Sequence, residues 1–312
     1  MEHPRPRIEF YRQRSFSEKL NVVFDFIREN WRPLLKYSFY VIMPVCLIQT
    51  LAMNSFFTSY LKIITKLSGN NVFGESMVSF FVNFGVWLLC IQIGSAIMSG
   101  LIYAMMQTYA VRENRLQEVI FNDFKELLVK NTWKYLRLLL MIIIVYIIIV
   151  TMMGFLAAIS LWSLFITIPI LLLGVLFLIP LMLVVPVYIF ERDITFFQAI
   201  RKAWKLGLAT LGGMIGLMIV LYIISSVIQT VTMLPWYVVL FVGTIFSLTN
   251  ESTMNQSAVY KFVLYILGVI QSFGTYLALI IGSVGLAFQY FHAREKVEGV
   301  TIESNISNFS NL

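Results

Sequence analysis

The sequence predicts an all-α, polytopic integral membrane protein with six transmembrane helices. Three observations carry that prediction. First, 59% of the 312 residues are hydrophobic and 12% are charged, with a mean hydropathy of +0.82, whereas a soluble domain carries about 25% charged residues. Second, six apolar segments reach the length needed to cross a bilayer, about 20 residues. Third, basic residues gather in alternate connections between those segments, the pattern that membrane insertion imposes. This composition argues against a soluble enzyme, a disordered chain and a disulfide scaffold.

Segment 1–33 is polar and basic and lacks the apolar core of a cleavable signal peptide. The spans are expected at Leu34–Phe57, Met77–Val111, Tyr135–Ile159, Leu164–Phe190, Leu211–Met233 and Ala258–Phe291. Residues 34–291 are then a six-span bundle within a single membrane domain, 1–312, and 292–312 form a polar cytoplasmic tail. Trp236–Leu248 is apolar but, at 13 residues, too short to span; it reads as an interfacial or re-entrant helix. Were it a span, the tail would lie outside. The second and sixth segments, at 35 and 34 residues, would be about 50 Å long as helices and must tilt, break or extend past a hydrocarbon core of ~30 Å.

The formal charge of +7 resolves into sidedness. The N-terminal segment, the second-to-third and fourth-to-fifth connections and the tail hold 20 Lys and Arg residues. The opposite side holds only Lys62, Lys66 and Lys261. The positive-inside rule therefore places both termini in the cytoplasm of a cell membrane. The basic surface suits an anionic inner leaflet rather than nucleic acid.

The cytoplasmic segments repeat. Ser15 with Glu18, and Thr195 with Gln198, have the spacing of capping boxes, in which the two side chains satisfy free helix-start N–H groups. Asn114 with Gln117 is a looser version. Each precedes an apolar stripe at helical spacing. The stripes are Phe16, Leu20, Val23, Ile27 and Trp31; then Leu116, Ile120, Phe124, Leu127 and Leu128; then Phe197, Ile200, Trp204 and Leu208. Basic residues such as Arg28, Arg201 and Lys205 lie off the stripes, as on helices resting in a membrane interface. The unit is thus an amphipathic helix followed by a two-span hairpin, three times over.

The stretch Pro180–Gly207 resembles a family of uncharacterised prokaryotic six-span membrane proteins. These include the YciC-like proteins and the membrane domain attached to some glycerophosphodiester phosphodiesterases. The matching positions are Pro180, Pro186, Glu191, Ala199, Ile200, Arg201, Trp204, Leu206 and Gly207. The resemblance implies an architecture; phosphodiesterase chemistry does not come with it, since only a short polar tail follows Phe291.

Catalytic patterns are absent from the sequence. The two histidines, His3 and His292, stand at opposite ends, so neither a metal cluster nor a Ser-His-Asp set suggests itself. There is no phosphate-cradling glycine pattern and no implied cofactor. Cys46 and Cys90 sit in apolar runs and read as small core residues. Polar span residues Gln49, Asn54, Asn83, Gln92, Gln107, Gln229, Gln271 and Gln289 either line a neutral pathway or hydrogen-bond between helices. Pro169, Pro180 and Pro186 are expected to kink the fourth span, and a broken helix is one device of transporters. Glu191, where that span leaves the membrane, either pairs with a base of the following helix or is a solvated helix end. Gly212 with Gly216, and Gly274, Ala278 and Gly282, mark close-packing faces.

Two functions follow. One is a non-enzymatic scaffold or accessory protein at the inner leaflet, with anionic lipids and other membrane proteins as partners. The other is a permease for a neutral or lipid-like substrate. Pro180, Pro186, Glu191, Arg201, Trp204, Gly207, Gln92 and Gln271 are the candidate residues for either. A polar cavity lined by Asn83, Gln92 or Gln271 would favour transport.

Overall fold

A computed structural model describes residues 6–66, 75–159, 169, 178–191, 193–248 and 257–301. Among these residues the fold is all-α, as the sequence predicts, because backbone in a bilayer must satisfy its own hydrogen bonds. The helices are α1 (Phe16–Lys66), α2 (Glu75–Val111), α3 (Lys125–Ile159), α4 (Val184–Phe190), α5 (Phe196–Ala209), α6 (Leu211–Leu248) and α7 (Ala258–Glu298). Five stretches, Phe16–Leu61, Met77–Val111, Lys125–Ile149, Leu211–Phe246 and Ala258–Glu298, are long and apolar enough to cross a membrane. Most of the expected fourth span, Leu164–Phe190, lies outside the described residues. Its last part is a 3-10 turn, Pro180–Leu183, followed by α4.

α1 is two helices joined at Asn30, whose φ of −114° and ψ of 17° are not helical. Pro33 explains the position. Its ring clashes with the carbonyl of Glu29 and it offers no N–H, so the preceding turn opens. The buried Asn30 caps the break by donating Nδ2 to Phe26 O at 2.9 Å. The entry helix before the break starts on the expected capping box. Ser15 N–H donates to Glu18 Oε2 at 2.7 Å, and Glu18 N–H to Ser15 Oγ at 3.4 Å.

Three expectations need correction. The entry helix buries Lys19, Val22, Val23, Phe26 and Asn30, whereas Phe16 and Trp31 of the expected stripe are exposed. The second amphipathic helix does not form as a continuous element. Residues 113–118 are turns, a 3-10 turn covers Phe121–Asp123, and helix resumes only at Lys125. Tertiary burial overrides the period there. Leu116, Val119 and Phe124 are buried while Ile120 of the stripe is exposed, and Arg115 and Glu118 reverse the chain in the left-handed region. Finally, Trp236–Leu248 is neither a separate interfacial helix nor a re-entrant one. It continues α6 straight through Pro235, with Trp236 buried and its Nε1 donating to Asn54 Oδ1 at 3.2 Å.

The chain divides into two compact units. Unit 1 comprises Met1–Trp31, Gly100–Leu221 and Ile281–Leu312; unit 2 comprises Arg32–Ser99 and Tyr222–Ile280. Unit 1 is built on buried aromatic side chains, among them Phe26, Tyr103, Tyr109, Phe124 and Phe288. The segment before α1 straps across them. Phe10 stacks on Tyr109 and Phe291 at centroid distances of 5.8 and 4.9 Å. Arg7 reaches the carbonyls of Tyr109 and Ala110 at 2.7 and 2.6 Å, covering the end of α2.

Unit 2 has a thin core, including Cys46, Met53, Trp236 and Tyr276, and an apolar exterior that exposes Ile48, Leu51, Phe81, Tyr222 and Phe241. Small residues admit large neighbours there: a Cβ on Gly94 would meet the Tyr276 ring, and one on Gly274 would meet Thr232. Of the other predicted packing glycines, Gly216 faces Phe16 of unit 1 and the positions above Gly212 and Gly282 are open.

Candidate functional site

The predicted site residues separate. Pro180, Pro186, Glu191, Arg201, Trp204 and Gly207 belong to unit 1, and Gln92 and Gln271 to unit 2. The six in unit 1 share one neighbourhood. α5 packs against the 3-10 turn and α4, and the contact is made at Gly207. A Cβ there would stand 2.7 Å from Pro180 Cα and closer still to its carbonyl oxygen, so only glycine permits the approach. Pro180 and Pro186 are both buried.

α5 begins at Thr195, whose backbone N–H donates to Gln198 Oε1 at 2.9 Å. It turns small residues inward: Ala199, Ala203, Leu206 and Gly207 are its buried set. The expected stripe of large residues faces elsewhere. Phe197 is 69% and Leu208 48% exposed, and Trp204 and Ile200 are half-buried. Arg201 and Lys205 are exposed on a third side. Bulky side chains would hold α5 away from the 180–190 backbone, which is why the small face wins the buried position.

Glu191 ties the end of α4 to α5 and α7. Its Oε1 lies 2.7 Å from Lys202 Nζ and accepts from Tyr290 OH at 3.1 Å. Lys202 also meets Glu298 at 2.8 Å, and Glu298 meets Arg294 at 2.9 Å. Arg294 reaches Tyr11 OH at 3.2 Å. The base expected to pair with Glu191 is therefore Lys202. Glu191's further partners Tyr290 and Arg294, and Glu298 that pairs with Lys202 and Arg294, were not singled out by the sequence, though Arg294 and Glu298 stand at the i, i+4 spacing of a helical ion pair.

A second ionic cluster joins Glu29 to Arg115 at 2.8 Å and to Tyr109 OH at 3.2 Å. Close by in sequence, Arg112 pairs with Asp123. The Ile120 N–H and then the Arg112 guanidinium hold the Asp123 carboxyl below the usual carboxylate range. His292 is committed to structure: its Nδ1 accepts the Arg14 backbone N–H at 3.0 Å. Lys19, also buried, donates to Gln289 Oε1 at 3.1 Å, and Gln289 donates to Thr210 Oγ1 at 3.1 Å.

In unit 2 the polar span residues find neutral partners. Tyr276 OH donates to Gln49 Oε1. Asn83 Nδ2 donates to Ser59 Oγ at 2.8 Å. Gln271 bonds Thr275 and Ser272 at 3.4 Å each. Gln92 is half-buried. Cys46 and Cys90 are both free thiols. Among the described residues no group of three or more His, Cys, Asp or Glu converges as a metal site would require.

The largest pocket described lies in unit 1 between α3 and the 188–194 segment, with a volume of about 650 Å³. Lys130, Asn131, Lys134, Arg137, Tyr188 and Phe190 are on its wall. A shallower pocket of about 390 Å³ adjoins it, sharing Gln107, Val111 and Leu127.

No family model, curated protein or solved structure matches this chain.

Proposed function

We propose that this chain is a six-span protein of a prokaryotic cell membrane, with both termini cytoplasmic, that acts as a non-enzymatic scaffold or accessory protein at the inner leaflet. The observation that carries this reading is the three-sided character of α5. It buries small residues, exposes Phe197 and Leu208, and displays Arg201 and Lys205. A helix held against its own protein that still presents an apolar side beside a cationic one suits the interface of an anionic leaflet. The entry helix has the same character, with exposed Phe16 and Trp31 beside exposed Arg28 and Arg32. Entry helix and α5 each lead into a long apolar helix, which supports a repeat; the 113–124 segment is its most divergent copy. The resemblance of Pro180–Gly207 to YciC-like proteins belongs to the same reading.

The permease alternative gains less support. Gln49, Asn54, Asn83 and Gln271 hydrogen-bond to neighbouring side chains, as expected for helix packing.

Topology reporters and crosslinking in native membranes test the reading together. A reporter fused after Leu312 is expected to be active on the cytoplasmic face, and photocrosslinkers at Phe197 and Leu208 are expected to capture lipid or a membrane protein. Activity of the Leu312 fusion on the outer face alone would sink the topology. Flux of a neutral solute into proteoliposomes in proportion to the protein would replace the scaffold reading with the permease.

A further inference from the structure

Five basic residues of unit 1, Arg12, Arg112, Arg115, Lys202 and Arg294, each lie within 4.0 Å of a carboxylate. Lys130, Lys134 and Arg137 do not: among the described residues none of the three lies within 4.0 Å of an Asp or Glu oxygen. All three line the same pocket of about 650 Å³. They stand at i, i+4 and i+7 on α3 and so share one helix face. Two carboxylates also border the pocket, Glu191 and Asp193. Glu191 is already engaged by Lys202 and Tyr290, and Asp193 is exposed.

The wall is fixed by its own hydrogen bonds. Lys134 Nζ donates to Tyr188 O at 2.6 Å, approaches Glu191 O at 3.5 Å, and sits 5.1 Å from the Tyr188 ring centroid. The ammonium has three donors, so one remains. Asn131, 1% exposed, donates to Gln107 Oε1 at 3.0 Å, and Gln107 donates to Ile189 O at 3.4 Å. The remaining lining is apolar and aromatic, with Val111, Leu127 and Phe190. Three cations without a direct ion pair, with Asp193 acting on Lys134 only beyond 4.0 Å, stand around an apolar floor and match an anion with a hydrocarbon body; a pocket of this volume suits a ligand of several hundred Å³.

We propose that this pocket binds one glycerophospholipid of net negative headgroup. Lys130 and Arg137 hold its phosphate, the last donor of Lys134 supports them, and the glycerol and first methylenes lie on Val111, Leu127 and Phe190. The inference rests on the inner-leaflet reading above and makes it specific to one site.

Native mass spectrometry of the full chain in detergent tests it, with phosphatidylglycerol and phosphatidylethanolamine titrated separately. The wild type is expected to retain phosphatidylglycerol preferentially, and each charge removed, in Lys130→Gln and Arg137→Gln, is expected to weaken that preference about fivefold. Both side chains are exposed, so folding should survive, and circular dichroism checks it. Lys125→Gln, on the same helix but off the pocket, should keep the preference. Two results would overturn the site. One is a preference unchanged in the Lys130→Gln, Arg137→Gln double variant. The other is binding of soluble glycerol 3-phosphate as tight as that of the lipid, which would make the ligand a free phosphate ester. If instead Arg201→Gln with Lys205→Gln abolishes the preference and the pocket variants do not, the pocket fails while the inner-leaflet reading stands.

Discussion

Unit 1 adds ion pairs to an aromatic core, whereas the polar contacts named in unit 2 are neutral hydrogen bonds. The ion pairs described above lie in unit 1, among them Glu29 with Arg115 and Glu191 with Lys202. In unit 2 the polar contacts join neutral groups, amide to hydroxyl, hydroxyl to hydroxyl and indole to amide: Gln49 with Tyr276, Thr50 with Ser272, Asn54 with Trp236. The difference follows from solvent. An ion pair needs water or headgroups to offset the desolvation of its outer faces, whereas an ion in hydrocarbon is costly even when paired.

The largest break in this comparison is expected at a site that depends on neither chemistry. Gly207→Ala forces a Cβ into the Pro180 backbone. Backbone cannot swing away as a side chain can, so a loss of about 1–3 kcal/mol is expected. A fall in apparent Tm, with loss of protection from proteolysis around 180–209, would register it. An unchanged Tm would show that α5 does not bear on the 3-10 turn.

Next comes Glu191→Gln. The amide keeps the shape but leaves Lys202 and Arg294 sharing one fewer carboxylate. The Glu191 side chain is 11% exposed and that of Lys202 23%, so solvent screening reduces the loss to about 1–2 kcal/mol. Raising ionic strength should narrow the gap between wild type and variant, since salt screens the pair. A gap that ignores salt would mean the contact is steric rather than ionic.

The smallest effect is expected in unit 2. Gln49→Leu removes the acceptor of Tyr276 OH and the donor to Ser272. Hydrogen bonds between membrane helices contribute about 0.6–2 kcal/mol, and here the loss should not respond to salt. A salt-dependent loss would erase the contrast between the units.

Much of this arrangement was legible in the sequence. Apolar length located the five spans described, because a helix is the cheapest way to carry backbone through hydrocarbon. The Ser15 and Thr195 boundaries were legible because caps act locally. For Glu191 the sequence offered a pairing base or a solvated helix end, and the fold selects the pairing by bringing Lys202 to 2.7 Å. Tertiary packing was harder to read. The stripe on α5 is the most apolar side, yet the buried side is Ala199, Ala203 and Gly207, chosen by clearance from another segment. Residues 113–124 have helical periodicity, but Ile120 is exposed while Leu116, Val119 and Phe124 are buried, a pattern that one helical face does not give. Trp236–Leu248 looked separate because 13 apolar residues are too few to span alone, yet a helix can absorb the bond lost at Pro235 and run on through it. The pocket cations were visible only as topological charge; which of them stay unpaired depends on where Glu29, Asp123 and Glu191 end up.

α6 runs without interruption for 38 residues, about 57 Å at the rise of an α-helix, nearly twice the hydrocarbon thickness of ~30 Å. A rod of that length cannot be matched by the bilayer alone. Tilt absorbs part of the excess, and local thickening of the lipid absorbs another part at a modest cost per ångström. The remainder has to extend past the hydrocarbon into headgroups or water, so acyl-chain length would act on this helix only through the part that stays among the chains.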